Sequence, residues 1–442
     1  MNGRVLRGVV IAVVLSSGEL SHAQGTSPQA AAPPASAPIA RSIEDLGFLG
    51  GAVSNPPFTD TILEADSPFR RAMFDRGMAL RANVVPRFTM NVIDGPVPAN
   101  EQRYIGHRPT FIWGVNPVFT ADLRQLRLKQ AQLNVGLAWK WSNWEPAGPN
   151  TVTLSTLYFF KRWGDRRVEM KAGYHINDQE FVGLQVGGSS STGAQGVYAV
   201  LPFEVGLSYY PLMAPTLNFR FRGPGRTYYK TGAQRSLDAA GGQATLDRNP
   251  TGLEFLQDGN GLLLINEVGF QRASTATTRQ AWFRAGYMRN RTLYTNKRTG
   301  EQESGNYCAY ALADLQVRAP EPSSPGRGLY LGASAMTVPS KFNAYDRYYE
   351  FRVYQRAPLA SRPTDVITFI ASHRGHSKYV TDSLAAQGRS AWTSSKSLTG
   401  TYTLHLSRGN YLSLSAGFQR GAAITPRVKN ALTTTAYWIL YL

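Results

Sequence analysis

Apolar and polar side chains alternate without a break from residue 80 to residue 92. Leu80, Ala82, Val84, Pro86, Phe88, Met90 and Val92 form one set, and Arg81, Asn83, Val85, Arg87, Thr89 and Asn91 the other. Successive side chains of a β-strand point to opposite faces, so this reads as a strand with one fatty and one polar face. The pattern recurs. Phe111, Trp113, Val115, Pro117, Phe119 and Ala121 alternate with Thr110, Gly114, Asn116, Thr120 and Asp122. Leu133, Val135, Leu137, Trp139 and Trp141 alternate with Gln132, Asn134, Gly136, Ala138 and Lys140. Leu217, Phe219 and Phe221 follow the same rule, as do Tyr402, Leu404 and Leu406, and then Leu412, Leu414, Ala416 and Phe418. Each run lasts about ten residues, the reach of a tilted strand across a bilayer and longer than the ~5–6 residues usual in soluble sheets.

Composition narrows the choice. The chain has 442 residues, 43% of them apolar and 11% aromatic, which is ample material to bury, so disorder is excluded. One Cys cannot staple a disulfide scaffold. A helical membrane bundle needs runs of about 20 apolar residues, and the longest here is Val9–Leu15. Strands that face lipid must close on themselves to satisfy their edges. The expected fold is all-β, a transmembrane antiparallel up-and-down barrel. At about 25 residues per strand it would hold about 16 strands.

Residues 1–23 read as a secretory signal peptide. Arg4 and Arg7 precede the apolar stretch Val9–Leu15, and Ser21-His22-Ala23 supplies small residues at −3 and −1, so cleavage is expected after Ala23. Residues 24–66 open with an Ala/Pro/Ser-rich stretch and are expected to form a flexible N-terminal segment. Residues 67–77 are expected to form a short helix at the periplasmic mouth: Ser67 can cap, Pro68 suits the first turn and Gly77 can end it. Residues 78–442 make the barrel. Trp163–Arg166 and Ser407–Asn410 look like tight turns, while Asn177–Gln195, Ser236–Gly259, Asn290–Asn306 and Gly375–Ser397 look like long extracellular loops.

The order of these segments resembles the carbohydrate-selective porins of the OprB type. The similarity is carried by Phe74–Met78, by Phe119–Leu123 with Gln125-Leu126, and by Leu157–Phe160 followed by Val168–Gly173. It continues through Gly206–Pro211, Tyr228–Gly232, Glu267–Phe270 and the ending Ala436–Leu442. Tyr174 stands where the family commonly has Arg, and the chain ends in Leu442 rather than Phe. The resemblance implies a 16-stranded channel, a homotrimer in the outer membrane of a Gram-negative bacterium, through which sugars diffuse passively. It implies no enzyme activity and no cofactor.

A diffusion pore needs groups that replace hydration briefly. The polar-face residues equipped for this are Arg81, Arg87, Asn116, Asp122, Lys140, Asn218, Arg220, Arg222, Glu267, Arg284, Glu350 and Arg352. Glu350 and Arg352 lie two apart on one face and can join a charge ladder across the lumen. The net charge is +18, with 37 Arg against 10 Lys. An Arg-rich lumen would favour sugar acids through its field. Equally, Arg in outer loops, such as Arg289, Arg291, Lys297 and Arg298, would pair with lipopolysaccharide phosphates. An exported barrel has no nucleic-acid target to meet. His373 and His376 are weak metal candidates, and no G-x-S-x-G elbow marks a hydrolase. The alternatives are an export channel for an anionic exopolysaccharide and, further off, a lipid-modifying enzyme.

Overall fold

The computed structural model describes residues 46, 56–93, 95–145, 150–164, 167–183, 200–424 and 430–442. The signal peptide, most of the segment 24–66, and part of the Asn177–Gln195 loop and of the Trp163–Arg166 turn lie outside the described residues. The strands are β1 (Met78–Asn91), β2 (Thr110–Asp122), β3 (Ala131–Ser142), β4 (Thr151–Trp163), β5 (Val168–His175) and β6 (Ala214–Arg222). They continue with β7 (Thr227–Arg235), β8 (Leu262–Arg272), β9 (Ala281–Asn290), and the two-residue pair β10 (Tyr294–Thr295) and β11 (Gln302–Glu303). The rest are β12 (Tyr307–Arg318), β13 (Gly328–Thr337), β14 (Tyr345–Arg356), β15 (Val366–His376), β16 (Ser394–Ser407), β17 (Asn410–Arg420) and β18 (Asn430–Tyr441). All but β10 and β11 form one closed antiparallel barrel of sixteen strands in chain order. The seam runs from Asn83↔Tyr441 to Asn91↔Thr433 between β1 and β18. β10 and β11 pair only with each other, inside the loop between β9 and β12.

Parity sorts the side chains. Phe88, Phe111, Leu133, Trp139, Phe283, Phe369 and Leu398 point outward and are exposed, while Asn83, Thr89, Asn116, Asn134 and Lys140 point inward and are buried. Outward exposure on this scale, 57% for Phe369 and 59% for Leu398, is unfavourable in water and marks a lipid-facing surface. Cross-strand aromatics reinforce it: Trp113 meets Trp139 edge-on with centroids 4.5 Å apart, and Tyr287 stacks on Tyr307 at 5.6 Å. Register slips once between β3 and β4, at Gly136/Leu137. The bulge turns Ser155 inward, where its hydroxyl donates to Asn116 Oδ1 at 3.0 Å. Gly136 is required there, since a Cβ would sit 2.8 Å from Ser155 Oγ.

Links alternate between ends. At one end they are short, down to the Arg408-Gly409 turn between β16 and β17, where Gly409 takes φ +64°. At the other most are longer, above all the link from β5 to β6. The expected loops carry more structure than the sequence reading gave them: a helix, Gly242–Arg248, lies within Ser236–Gly259, and Asn290 belongs to β9. The ends of Gly375–Ser397 belong to β15 and β16, and a helix, Lys378–Ala386, fills its middle. The described part of Asn177–Gln195, residues 177–183, does not project outward. The described parts of the link from β5 to β6 turn into the barrel, carrying helices Asp178–Phe181 and Val200–Glu204. Phe181, Val182, Leu201, Val205 and Leu207 are buried there against Leu263, Ile265, Met288, Cys308, Tyr310, Leu312, Met336 and Tyr348 from the inner wall. Each such side chain stabilises the docked loop by about 1.5–3 kcal/mol relative to exposure.

The short-turn end is met by the segment before β1. Ser67 Oγ accepts from Arg70 N–H at 3.4 Å and caps the helix Pro68–Asp75. Phe58 is buried beneath two guanidinium groups, with Arg81 3.6 Å and Arg70 4.7 Å from its ring centre. Asp60 accepts from His405 Nε2 at 2.9 Å, from Gly409 N–H at 3.0 Å and from the Tyr411 hydroxyl. Ile62 N–H donates to Tyr441 O at 2.8 Å. The N-terminal lead-in is thereby tied to both the β16–β17 turn and the last strand.

Candidate functional site: the inner wall of the barrel

The inner wall divides into two chemically different halves. Strands β5 to β14 carry most of the buried charges. From β5 comes Lys171, from β7 Lys230, from β8 Glu267, from β9 Arg284, from β12 Asp314, and from β14 Glu350 and Arg352; all are buried. The inward loop adds Glu180. Lys171 Nζ contacts one Glu180 oxygen, and Lys230 Nζ lies 3.0 Å from the other. Burial alone would raise the Glu180 carboxyl; the two ammonium groups outweigh it and hold it below the usual carboxylate range.

The same cations also grip the loop backbone. Lys230 donates to Glu180 O at 2.6 Å, and Arg284 donates to Phe181 O at 3.1 Å and to Gly183 O. Glu267 lies 3.6 Å from Lys230 and 4.0 Å from Arg284, and it accepts from the hydroxyls of Tyr228 and Tyr310 at 2.9 and 2.8 Å. Farther round, Arg352 Nη1 meets Glu350 and donates to Ser334 at 2.7 Å, while Nη2 lies 3.2 Å from Asp314. Gly332 makes room: a Cβ there would stand 2.7 Å from Arg352 Nε.

Four cations therefore face four carboxylates, and the belt is neutral. Residues 184–199 of the loop contain no charged residue. Near the short turns Arg162 and Arg222 share Glu169 at 2.9 and 3.0 Å, and Arg220 donates to Gln271 at 2.8 Å.

The other half, β15 to β18 and β1 to β4, is a wall of hydroxyls and amides. Thr89 pairs with Thr435 at 3.0 Å, Ser372 with Ser397 at 2.7 Å, and Thr403 with Ser413 at 2.9 Å. Thr120 donates to Asn134 Oδ1 at 2.8 Å. Arg87, Lys140 and Arg374 face inward within this wall.

The sequence candidates fall into distinct places. Glu267 and Arg284 come together in the belt, as do Glu350 and Arg352. Asn116, Arg87 and Lys140 lie in the hydroxyl half. Asn218 donates to Asn177 Oδ1 at 2.6 Å and ties the loop's first residues to the wall. Asp122 caps the turn after β2, accepting from Arg124 N–H at 3.0 Å. Arg81 holds the N-terminal lead-in, and Arg222 is exposed at the short-turn rim. Sequence reading missed Lys171, Lys230, Glu180 and Asp314. The first two could have been found from parity: on β7, Tyr228, Lys230, Gly232 and Gln234 alternate with Tyr229, Thr231 and Ala233.

The two histidines point apart. His373 faces outward; His376 is buried, with Nδ1 2.6 Å from Trp392 O and Nε2 3.1 Å from Ser395 Oγ. That serine hydroxyl also donates to Gly421 O, so the pair clasps loop backbone.

Known proteins match this architecture. A high-pH structure of Pseudomonas putida OprB superposes with a TM-score of 0.72 over 87% of this chain and 98% of that one, at 14% identity. The low-pH structure of the same protein gives 0.54 over the same shares, at 13% identity. Salmonella typhi OmpF, solved in complex with daunomycin, gives 0.52 over 83% and 99%, at 7% identity. Among curated protein sequences none matches. The family model described as carbohydrate-selective porin, OprB family, matches residues 114–420. With a closed barrel of sixteen strands and a match across most of its length, the chain belongs to the OprB family of carbohydrate-selective porins.

Proposed function

We propose that the chain is an outer-membrane porin through which neutral mono- and disaccharides diffuse passively along the hydroxyl-and-amide half of its wall. In this reading the charged half holds the inward loop and contributes little net field. The observation that carries it is the neutral belt. Lys171, Lys230, Arg284 and Arg352 are matched by Glu180, Glu267, Asp314 and Glu350, so the +18 of the sequence is not a lumen property there. Hydroxyls and amides exchange hydrogen bonds with a sugar at little net cost, which suits passage rather than retention. Export with cleavage after Ala23, short turns in the periplasm and assembly as a homotrimer complete the proposal.

A second reading, transport of sugar acids, draws on the short-turn rim, where Arg162, Arg220 and Arg222 face Glu169. Single-channel recording separates the two. Glucose should lower the current in a weak, saturable way, with gluconate no more effective. Block by gluconate alone would move the function to sugar acids. An absence of open channels from a folded barrel would favour the export alternative.

A further inference from the structure

Of the loop cations first expected to meet lipopolysaccharide phosphates, Lys297 is half-buried. The charge of Glu204 on the inward loop acts on its ammonium. A different basic cluster lies on the outer wall at the long-loop end. It comprises Arg347 of β14, His373 of β15, Lys396 of β16 and Arg420 of β17. The ladder sets them side by side: Arg347 pairs with Gly375, His373 with Lys396, and Lys396 with Arg420. Each shares the outward parity of its strand's apolar residues, Arg347 with Phe351, His373 with Phe369, Lys396 with Leu398 and Arg420 with Phe418.

Arg347, Lys396 and Arg420 are exposed and His373 half-buried. The sequence makes room for the cluster. Arg347 lies across Gly375, where a Cβ would stand 2.5 Å from its Cγ and Nε. The His373 ring stacks on Tyr349 at 6.3 Å, and the Arg420 guanidinium sits 5.3 Å from the Trp392 ring centre. One carboxylate approaches: Asp346 Oδ1 is 3.6 Å from Arg347 Nε, and its other oxygen accepts from Ser340 at 2.8 Å. Among the described residues Lys396 and Arg420 have no carboxylate in ion-pairing reach.

The level of the cluster indicates its ligand. Long loops of such barrels face the cell exterior, and the apolar band sits in the hydrocarbon. Directly toward the short turns lie Phe351, Phe369, Leu398 and Phe418, all exposed. Cations above an acyl-facing band complement an anionic headgroup whose chains run down the wall. Two guanidinium forks favour phosphate among such anions. We infer that this patch binds a phosphate of an outer-leaflet glycolipid, with its acyl chains laid over Phe351, Phe369, Leu398 and Phe418.

The test is native mass spectrometry of the full chain refolded in neutral detergent and offered bis-phosphorylated lipid A, dephosphorylated lipid A, or inorganic phosphate. The bis-phosphorylated lipid should form a one-to-one adduct, and the dephosphorylated lipid should bind about tenfold less. Excess inorganic phosphate should not displace the adduct; displacement would make the site one for the free anion. The triple change Arg347→Gln, Lys396→Gln and Arg420→Gln should cut the adduct about tenfold. Arg279→Gln with Arg318→Gln, exposed cations at the short-turn end, should leave it intact. Equal binding of the two lipids would overturn the inference, and that comparison needs no variant. An unchanged triple variant, or equal loss in the control pair, would overturn it too.

Discussion

Lys230 on β7 donates to the carbonyl oxygen of Glu180 at 2.6 Å and lies 3.0 Å from that residue's carboxylate. One wall cation thus holds both the backbone and the side chain of the inward loop. Replacing Glu180 with Gln removes the charge that Lys171 and Lys230 share, and leaves two buried cations short of a partner. Breaking a buried pair costs about 3–5 kcal/mol. Glu180→Gln should therefore expose the loop to chymotrypsin, which can cut after Phe181 and Phe203, and raise current noise in single channels, while the barrel retains its strand content by circular dichroism.

Charge balance in the belt governs ion selectivity. With four cations and four carboxylates in opposition, the channel should discriminate only weakly between K⁺ and Cl⁻. Glu267→Gln deprives Lys230 and Arg284 of their shared counter-charge. The zero-current potential across a KCl gradient should then move toward anion preference, because the local field becomes positive. An unchanged potential would mean that Glu267 does not face the conduction path.

Glu204 ties the inward loop to the β13–β14 link, accepting from the N–H groups of Ala344 and Tyr345 at 3.3 Å each. Burial pushes its carboxyl up to about 7, against the opposing pull of Lys297, the two N–H groups and Arg374. A raised folded pKa means the contact is most stable below the unfolded value near 4.5, and that this contribution is lost as pH rises through about 7. Exchange protection of the Ala344 and Tyr345 amides, corrected for intrinsic rates, should fall between pH 5.5 and 8 (roughly the window set by that linkage). In Glu204→Gln it should stay level.

The lead-in to β1 behaves oppositely. Burial acts to raise the Asp60 pKa, but hydrogen bonds from His405, Tyr411 and Gly409 outweigh it and hold it below 3.8. Its stabilisation is present above that value and lost only as pH falls through the lower folded pKa. Asp60→Asn should weaken the clasp at neutral pH by about 1–3 kcal/mol, seen as earlier proteolysis of residues 56–67 with the barrel intact.

The strands were legible because lipid outside and polar groups inside impose a period of two, as from Leu80 to Val92. The inward loop was not, for a physical reason. Where it docks, the inner wall is also apolar, so alternation disappears: Leu262-Leu263-Leu264-Ile265 is fatty on both faces. Such a two-faced run in an otherwise alternating barrel signals that something dry packs inside. Glu350 and Arg352 were legible as a pair because they share one strand. Glu180 with Lys230, and Arg352 with Asp314, join residues distant in sequence, which periodicity cannot connect. Asp122 shows a further difficulty, since a strand-end carboxylate can also cap the following turn.

The central claim is passage of neutral sugars past a wall of hydroxyls and amides. Liposomes carrying the refolded chain in isotonic glucose, a disaccharide or gluconate test it most directly. Fast swelling in glucose, slower swelling in the disaccharide and no preference for gluconate are predicted. Swelling restricted to gluconate, or none at all from a demonstrably folded barrel, would contradict it.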